Sequence, residues 1–272
     1  MEKRIIFFDI DGTLVNMEGK IADSTKEALL LAKANGHRLV ICTGRSRFQI
    51  FDELLELGFE GIVGGAGAYV VCGDKEIYHH YIEMEKRKPL FDYLEKGKFA
   101  YAVQCDCGTV FNKRCKVALE EEFEQLGINK KQMEYMFGEI MIREDVWNYP
   151  NEEKIIFHRA PYTIEKIKAD LQSDFEVTAF SLNIDHSGAG EIGAANINKA
   201  TGMQIYLDHI GAKREDTIAI GDGPNDSEMI EFAGIGVVMG NAHQQLKDMA
   251  DLVTTSIDED GIYNAMKQIG VI

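Results

Sequence analysis

Positive charge is in short supply. Lysine and arginine number 29 against 45 aspartates and glutamates, for a formal net charge of −16 over 272 residues. Nucleic acid and anionic membrane surfaces are bound by concentrated Lys and Arg that displace counterions, so the balance excludes both as partners. A small anion drawn in by a bound cation stays compatible with it. Long apolar runs are also missing, and nothing in the chain is long enough to span a bilayer. Near the N-terminus Lys3 and Arg4 precede an apolar stretch, but Asp9 and Asp11 interrupt it, which does not fit a signal peptide. The five cysteines, Cys42, Cys72, Cys105, Cys107 and Cys115, are odd in number and include no CxxC pair. That usage suits reduced thiols and a cytoplasmic protein, with a soft-metal cluster at Cys105, Cys107 and Cys115 as the weaker alternative. There is no internal repeat, low-complexity tract or proline-rich linker.

What is present begins with Arg4-Ile5-Ile6-Phe7-Phe8, a run of bulky apolar residues that reads as a buried strand, followed at once by Asp9-Ile10-Asp11-Gly12-Thr13. Two carboxylates one residue apart repel each other, a cost tolerated at a strand end when a cation or a proton lies between them. Residue types alone leave open whether the pair simply begins a turn. An EF-hand loop does not fit, because it needs Gly at its sixth position and Glu at its twelfth, whereas Gly12 comes fourth from Asp9.

Further along, Ser24-Thr25-Lys26-Glu27 has capping-box spacing before an apolar helical face, and Gly36 is a natural stop. Residues 38–42 read as a second buried strand ending at Thr43-Gly44-Arg45. Residues 48–57 read as a helix, 61–64 as a third strand, and 68–81 as a hairpin around Gly73-Asp74. Residues 83–185 form a mixed unit of helices and strands, closing with a strand pair across 176–185. The pattern then returns to long helices and buried strands: a helix at 198–210 ended by Gly211, a strand at 217–220 followed by Gly221-Asp222-Gly223-Pro224-Asn225-Asp226, a helix near 227–232 and a strand at 235–238. Short helices at 243–249 and 261–269 close the chain. The expected architecture is α/β, a Rossmann-like doubly wound parallel sheet (residues 1–82 and 186–272) interrupted by an α+β insertion (83–185).

Polar clusters thus sit at three strand ends: Asp9 with Asp11, Thr43-Gly44-Arg45, and Asp222 with Asn225 and Asp226. The C-terminal ends of parallel strands share one edge, where open α/β sheets bind ligands, so segments remote in sequence can meet there. Asp9 and Asp222 could share one octahedral Mg²⁺, an ion that prefers hard oxygen ligands. Lys199, at a helix start, could add positive charge.

The combination resembles the haloacid dehalogenase-like superfamily of phosphohydrolases along nearly the whole chain. Residues 9–13 are similar to its first motif, Thr43 to its second, Lys199 to its third and residues 221–226 to its fourth. The Thr43-Gly44-Arg45 form, the large insertion, residues 237–242 and Asp258-Glu259-Asp260-Gly261 look like the Cof-type branch, whose insertion is an α/β cap of type IIB. The resemblance implies a Mg²⁺-dependent phosphatase acting on a small phosphorylated metabolite. In it Asp9 would attack phosphorus and form an aspartyl-phosphate. Asp11 would protonate the leaving alcohol and then activate water, its backbone carbonyl also ligating the metal. Asp222 would be the direct carboxylate ligand and Asp226 a ligand or the partner of one. Gly12, Thr43, Gly44, Lys199 and Asn225 would line the phosphate site, and Arg45 its rim. The cap would be a lid that selects the leaving group, with His158, Arg159 and Arg114 as candidates for substrate contact; outside it, residues 187–191 are a run that could carry substrate contacts instead. Phosphoryl transfer to another alcohol through the same intermediate, or binding without turnover, are the alternatives.

Overall fold

The computed structural model describes residues 2–16, 18–105, 108–127, 140–149, 151–179 and 188–272. The chain divides into two compact units, one made of Met1–Arg45, Ile50–His79 and Asn198–Ile272, the other of Ser46–Gln49 and His80–Ile197.

In the first unit the strand Ile5–Phe8 is buried along its whole length, because helices cover both faces of the sheet it occupies. It lies between Thr217–Gly221 and Arg38–Cys42, pairing parallel with each. Gly61–Gly64 continues the parallel sheet beside Arg38–Cys42, as Ile235–Val238 and Leu252–Val253 do beyond Thr217–Gly221. The hairpin Tyr69–Cys72 and Lys75–His79 adds two antiparallel strands, so that among the described residues the sheet has eight strands. On one face Phe7, Val40, Val63 and Ala219 pack with Met203, Tyr206 and Met229. Phe7 meets the Tyr206 ring edge-on at 5.8 Å, a contact that stabilises by about 1 kcal/mol beyond area burial. The helices Asp23–Ala34 and Gly261–Gln268 pack together and bury Ala28, Leu29, Ala32, Ile262 and Met266.

In the second unit the described strands form a six-stranded sheet, mostly antiparallel, centred on Ala100–Cys105 and Glu152–His158. Leu90, Phe91 and Leu94 of the helix Met84–Lys96 and Ile167 and Leu171 of Ile164–Leu171 pack on Tyr101, Val103, Ile155 and Phe157. On the alternating residues Ala100, Ala102 and Ile156 lie Cys115, Ala118 and Leu119 of the helix Lys113–Leu126. No helix among the described residues is long and apolar enough to cross a membrane.

Three local expectations are corrected. The capping box at Ser24 does not form. The helix starts one residue earlier, at Asp23, after Ala22, which places Ser24 inside the first turn with its buried hydroxyl unpartnered among the described residues. The helix expected over 48–57 is instead a 3₁₀ turn, Arg47–Gln49, and a short helix, Asp52–Leu55, because Phe51 between them is extended. The strand Phe175–Ala179 pairs with Gly190–Ala194, which in turn pairs with Glu152–His158, while the second half of the strand pair expected across 176–185 lies outside the described residues. The second unit therefore runs to Ile197 rather than ending near 185, and its main segment begins at His80 rather than 83. Residues 180–187 lie outside the described residues.

Candidate active site

All the motif residues singled out from the sequence at strand ends belong to the first unit, and Asp9, Asp222 and Asp226 come together there, with a carboxylate oxygen from each lying within 4.8 Å of the others. Asp9 follows the central strand directly and its backbone N–H donates to Ile220 O, which fixes it beside the end of Thr217–Gly221. Asp222 is the next residue after that neighbouring strand. The parallel pairing thus accounts for the closeness of two residues more than two hundred positions apart.

Lys199 enters from the helix Lys199–Ile210, whose N-terminus is set by a capping box between Asn198 and Thr201. The close approach depends on Gly67. At φ +103°, a Cβ there would sit 2.0 Å from Asn198 O. The Lys199 ammonium is buried and donates to Asp9 Oδ1 at 2.6 Å and to Asp226 Oδ1 at 2.5 Å. Burial alone would depress this group, but Asp226 and Asp9 outweigh it and hold the ammonium above its ordinary range. The other oxygen of Asp226 accepts the backbone N–H groups of Asp222 at 2.9 Å and Gly223 at 2.8 Å. Both Asp226 oxygens are therefore engaged within the protein, fixing the loop that carries Asp222 and the lysine.

Asp222 is held by residues that were not assigned roles from the sequence. Thr13 Oγ1 donates to its Oδ1 at 2.9 Å, and Asn241 Nδ2 donates to its Oδ2 at 3.2 Å and to Gly12 O at 2.9 Å. The Asn241 carbonyl accepts from Ile257 N, so the amide is oriented from both ends. A usable signal existed in the sequence: Asn241 follows the buried strand Ile235–Val238 and lies at a fourth C-terminal strand end on the same edge. Gly12 has φ +85°, and a Cβ on it would stand 2.1 Å from Asp222 Oδ2, so the carboxylate lies directly against the turn.

Thr43 is buried at the end of Arg38–Cys42, its N–H bonded to Val63 O and its hydroxyl accepting from Arg45 N. Arg45, expected at a rim, is 6% exposed, and its Nε and Nη2 grip the Asp11 carboxylate at 2.8 and 2.7 Å. Gly44 lies between them, and Asn225, half-buried, sits in the 3₁₀ turn Pro224–Asp226. In the second unit Arg114 donates to Glu95 and Phe99 O, Arg159 pairs with Glu121, and His158 lies 3.4 Å from Glu122. Of residues 187–191, Ser187 is outside the described residues and Glu191 is paired with Lys154. Cys105 is buried, its Sγ donating to Gly108 O; Cys107 lies outside the described residues. Burial pushes the Cys42 thiol up, which makes it inert.

The electrostatics fit a divalent cation. Asp9, Asp11, Asp222 and Asp226 face Lys199 and Arg45, which leaves an acidic excess equal to the charge of one such ion. Burial, then repulsion from Asp226, raises Asp9 well above the carboxylate range and pushes Asp222 up to about 7. Two carboxylates that cannot comfortably ionise together, on hard oxygen donors, suit Mg²⁺.

Comparison with known proteins places the chain in a family. Residues 6–266 match the model of the haloacid dehalogenase-like hydrolases. The chain is 25% identical to the phosphatase YwpJ of Bacillus subtilis, over 98% of its own length and 99% of the relative's. It is 29% identical to the 5-amino-6-(5-phospho-D-ribitylamino)uracil phosphatase YitU of the same organism, over 97% and 96%. Among solved structures it is similar to the subclass IIB sugar phosphatase BT4131, with a TM-score of 0.82 and 30% identity over 99% and 100% of the two chains. It is similar also to BT1666 of Bacteroides thetaiotaomicron, with a TM-score of 0.83 and 26% identity over 99% and 96%. With a family match across nearly its whole length and the family's fold, the chain belongs to the haloacid dehalogenase-like hydrolases.

Proposed function

We propose that this hydrolase cleaves a small phosphate monoester, a sugar phosphate or a phosphorylated cofactor, through an aspartyl-phosphate on Asp9. The observation that supports it most is the meeting of Asp9, Asp222 and the buried Lys199 ammonium at one sheet edge. The sugar phosphatase and the ribitylaminouracil phosphatase among the similar proteins favour a polyhydroxylated substrate.

An Asp9 oxygen attacks phosphorus, the ester P–O bond breaks, and the departing alkoxide takes a proton from Asp11. Water then loses a proton to the Asp11 carboxylate and attacks phosphorus. The bond from phosphorus to Asp9 breaks and phosphate leaves. Lys199 neutralises charge on the equatorial oxygens and opposes the burial and repulsion that favour protonation of Asp9, while Thr43, Gly44 and Asn225 orient the phosphoryl group. Asp9, Asp222 and the Asp11 carbonyl would hold Mg²⁺, which when bound supplies charge neutralisation and a template for the phosphoryl oxygens. Asp226 fixes Lys199 and the loop that carries Asp222.

The test is release of orthophosphate from a panel of phosphate monoesters with Mg²⁺, by the native protein and by Asp9→Asn. Turnover by the native protein and none by the variant is expected. Near-normal turnover by Asp9→Asn would remove the nucleophile, and consumption of ester without free phosphate would indicate transfer to a second alcohol.

A further inference from the structure

We infer that Arg45 is a positioning residue for Asp11, setting the orientation of the carboxyl group that exchanges protons with the leaving alcohol and with water. The inference rests on the proposed role of Asp11. The Asp11 side chain is 53% exposed, and an exposed carboxylate on a turn is ordinarily free to rotate about two torsions. Here its plane is fixed by a two-pronged bond from the guanidinium, the geometry that gives arginine directional as well as electrostatic grip.

Arg45 is itself firmly anchored. Its side chain is 7% exposed, its N–H donates to the Thr43 hydroxyl at 3.1 Å, and its carbonyl accepts from Gly65 N at 2.8 Å. A rigid arginine gripping a mobile carboxylate transmits orientation from the strand Arg38–Cys42 to the turn after Ile5–Phe8. It also links Thr43, assigned to the phosphate, with Asp11, assigned to the oxygen leaving it. Proton delivery matters in proportion to the basicity of the leaving oxygen, so the contribution of Arg45 is expected to be largest for alkyl and unactivated aryl esters.

The experiment compares kcat/KM for phenyl phosphate and 2,4-dinitrophenyl phosphate, both with saturating Mg²⁺, in the native protein, Arg45→Gln, Arg45→Lys, Asp11→Asn and the double variant Arg45→Gln/Asp11→Asn. Arg45→Gln should lower the value for phenyl phosphate by about tenfold or more and spare the dinitrophenyl ester, with Arg45→Lys in between. In the Asp11→Asn background the arginine substitution should change neither value by more than about twofold, since its effect passes through Asp11. An equal loss on both esters, or the same loss with and without Asp11, would overturn the inference and make Arg45 a direct substrate contact. If Arg45→Gln does not fold, Arg45→Lys, which keeps charge and volume but not the fork, bears the same comparison. Asp11→Asn treating both esters alike would instead overturn the acid role of Asp11, a failure readable from the single variant.

Discussion

The Lys199 ammonium donates to Asp9 Oδ1 at 2.6 Å with no solvent-exposed side-chain surface. A buried cation of this kind is retained because removing it strands carboxylates that cannot be hydrated. Lys199→Met should therefore abolish turnover and, in metal-free protein, lower the unfolding free energy by about 3–5 kcal/mol. Urea unfolding monitored by circular dichroism checks the second part, and unchanged stability would contradict it.

Asp9→Asn should behave in the opposite way. Burial and the neighbouring Asp226 carboxylate raise Asp9, so the native state disfavours its ionised form, and an isosteric amide still accepts from Lys199. Turnover should vanish while the melting temperature of the metal-free protein stays level or rises. A fall of several degrees would show that the charge is needed for folding.

Asp222 provides a pH test. Its value of about 7 in the folded chain stands above the ordinary 3.8, so its contribution to stability is fully present below pH 3.8 and is lost as pH rises through about 7. Metal-free protein should lose stability over that window on account of this group. Added Mg²⁺ should raise the melting temperature more at pH 8 than at pH 5, because at the lower pH it must displace a proton. Scanning calorimetry at the two pH values, with and without Mg²⁺, decides it; an equal Mg²⁺ effect at both would remove Asp222 from the metal site.

Gly12→Ala combines a left-handed backbone with a Cβ that would overlap the Asp222 carboxylate. We expect about 1–2 kcal/mol of backbone strain and at least a hundredfold loss of turnover as Asp222 is pushed aside. The check is a Mg²⁺ titration of activity: the concentration giving half-maximal rate should rise, and an unchanged value would place the metal away from the Gly12 turn.

Much of the candidate site's sheet edge was legible in the sequence because parallel topology does the gathering. Once Ile5–Phe8, Arg38–Cys42 and Thr217–Gly221 read as buried strands, the residues following each must lie on one edge, whatever their separation. Side-chain partnerships were not legible. The grip of Arg45 on Asp11 joins positions 34 residues apart, and that of Thr13 on Asp222 joins positions 209 apart, without any local periodicity to announce either. The same reason hid the end of the second unit: pairing of Gly190–Ala194 with Glu152–His158 is a long-range choice, whereas the residues themselves read equally well as a core strand. The broken helix at 48–57 belongs with these cases, since Ser46–Gln49 is grouped with the second unit and Ile50 onward with the first.

That small segment has a practical consequence for engineering. Ser46 Oγ donates to Glu153 at 2.5 Å, Gln104 donates to Gln49 Oε1 at 3.1 Å, and all four residues fall in the second unit, so the polypeptide passes between the units after Arg45, Gln49, His79 and Ile197. A chimera made by transplanting residues 80–197 alone would arrive with Glu153 and Gln104 deprived of those partners. The four residues Ser46–Gln49, which a cut-and-paste design would leave behind in the donor, have to travel with the graft.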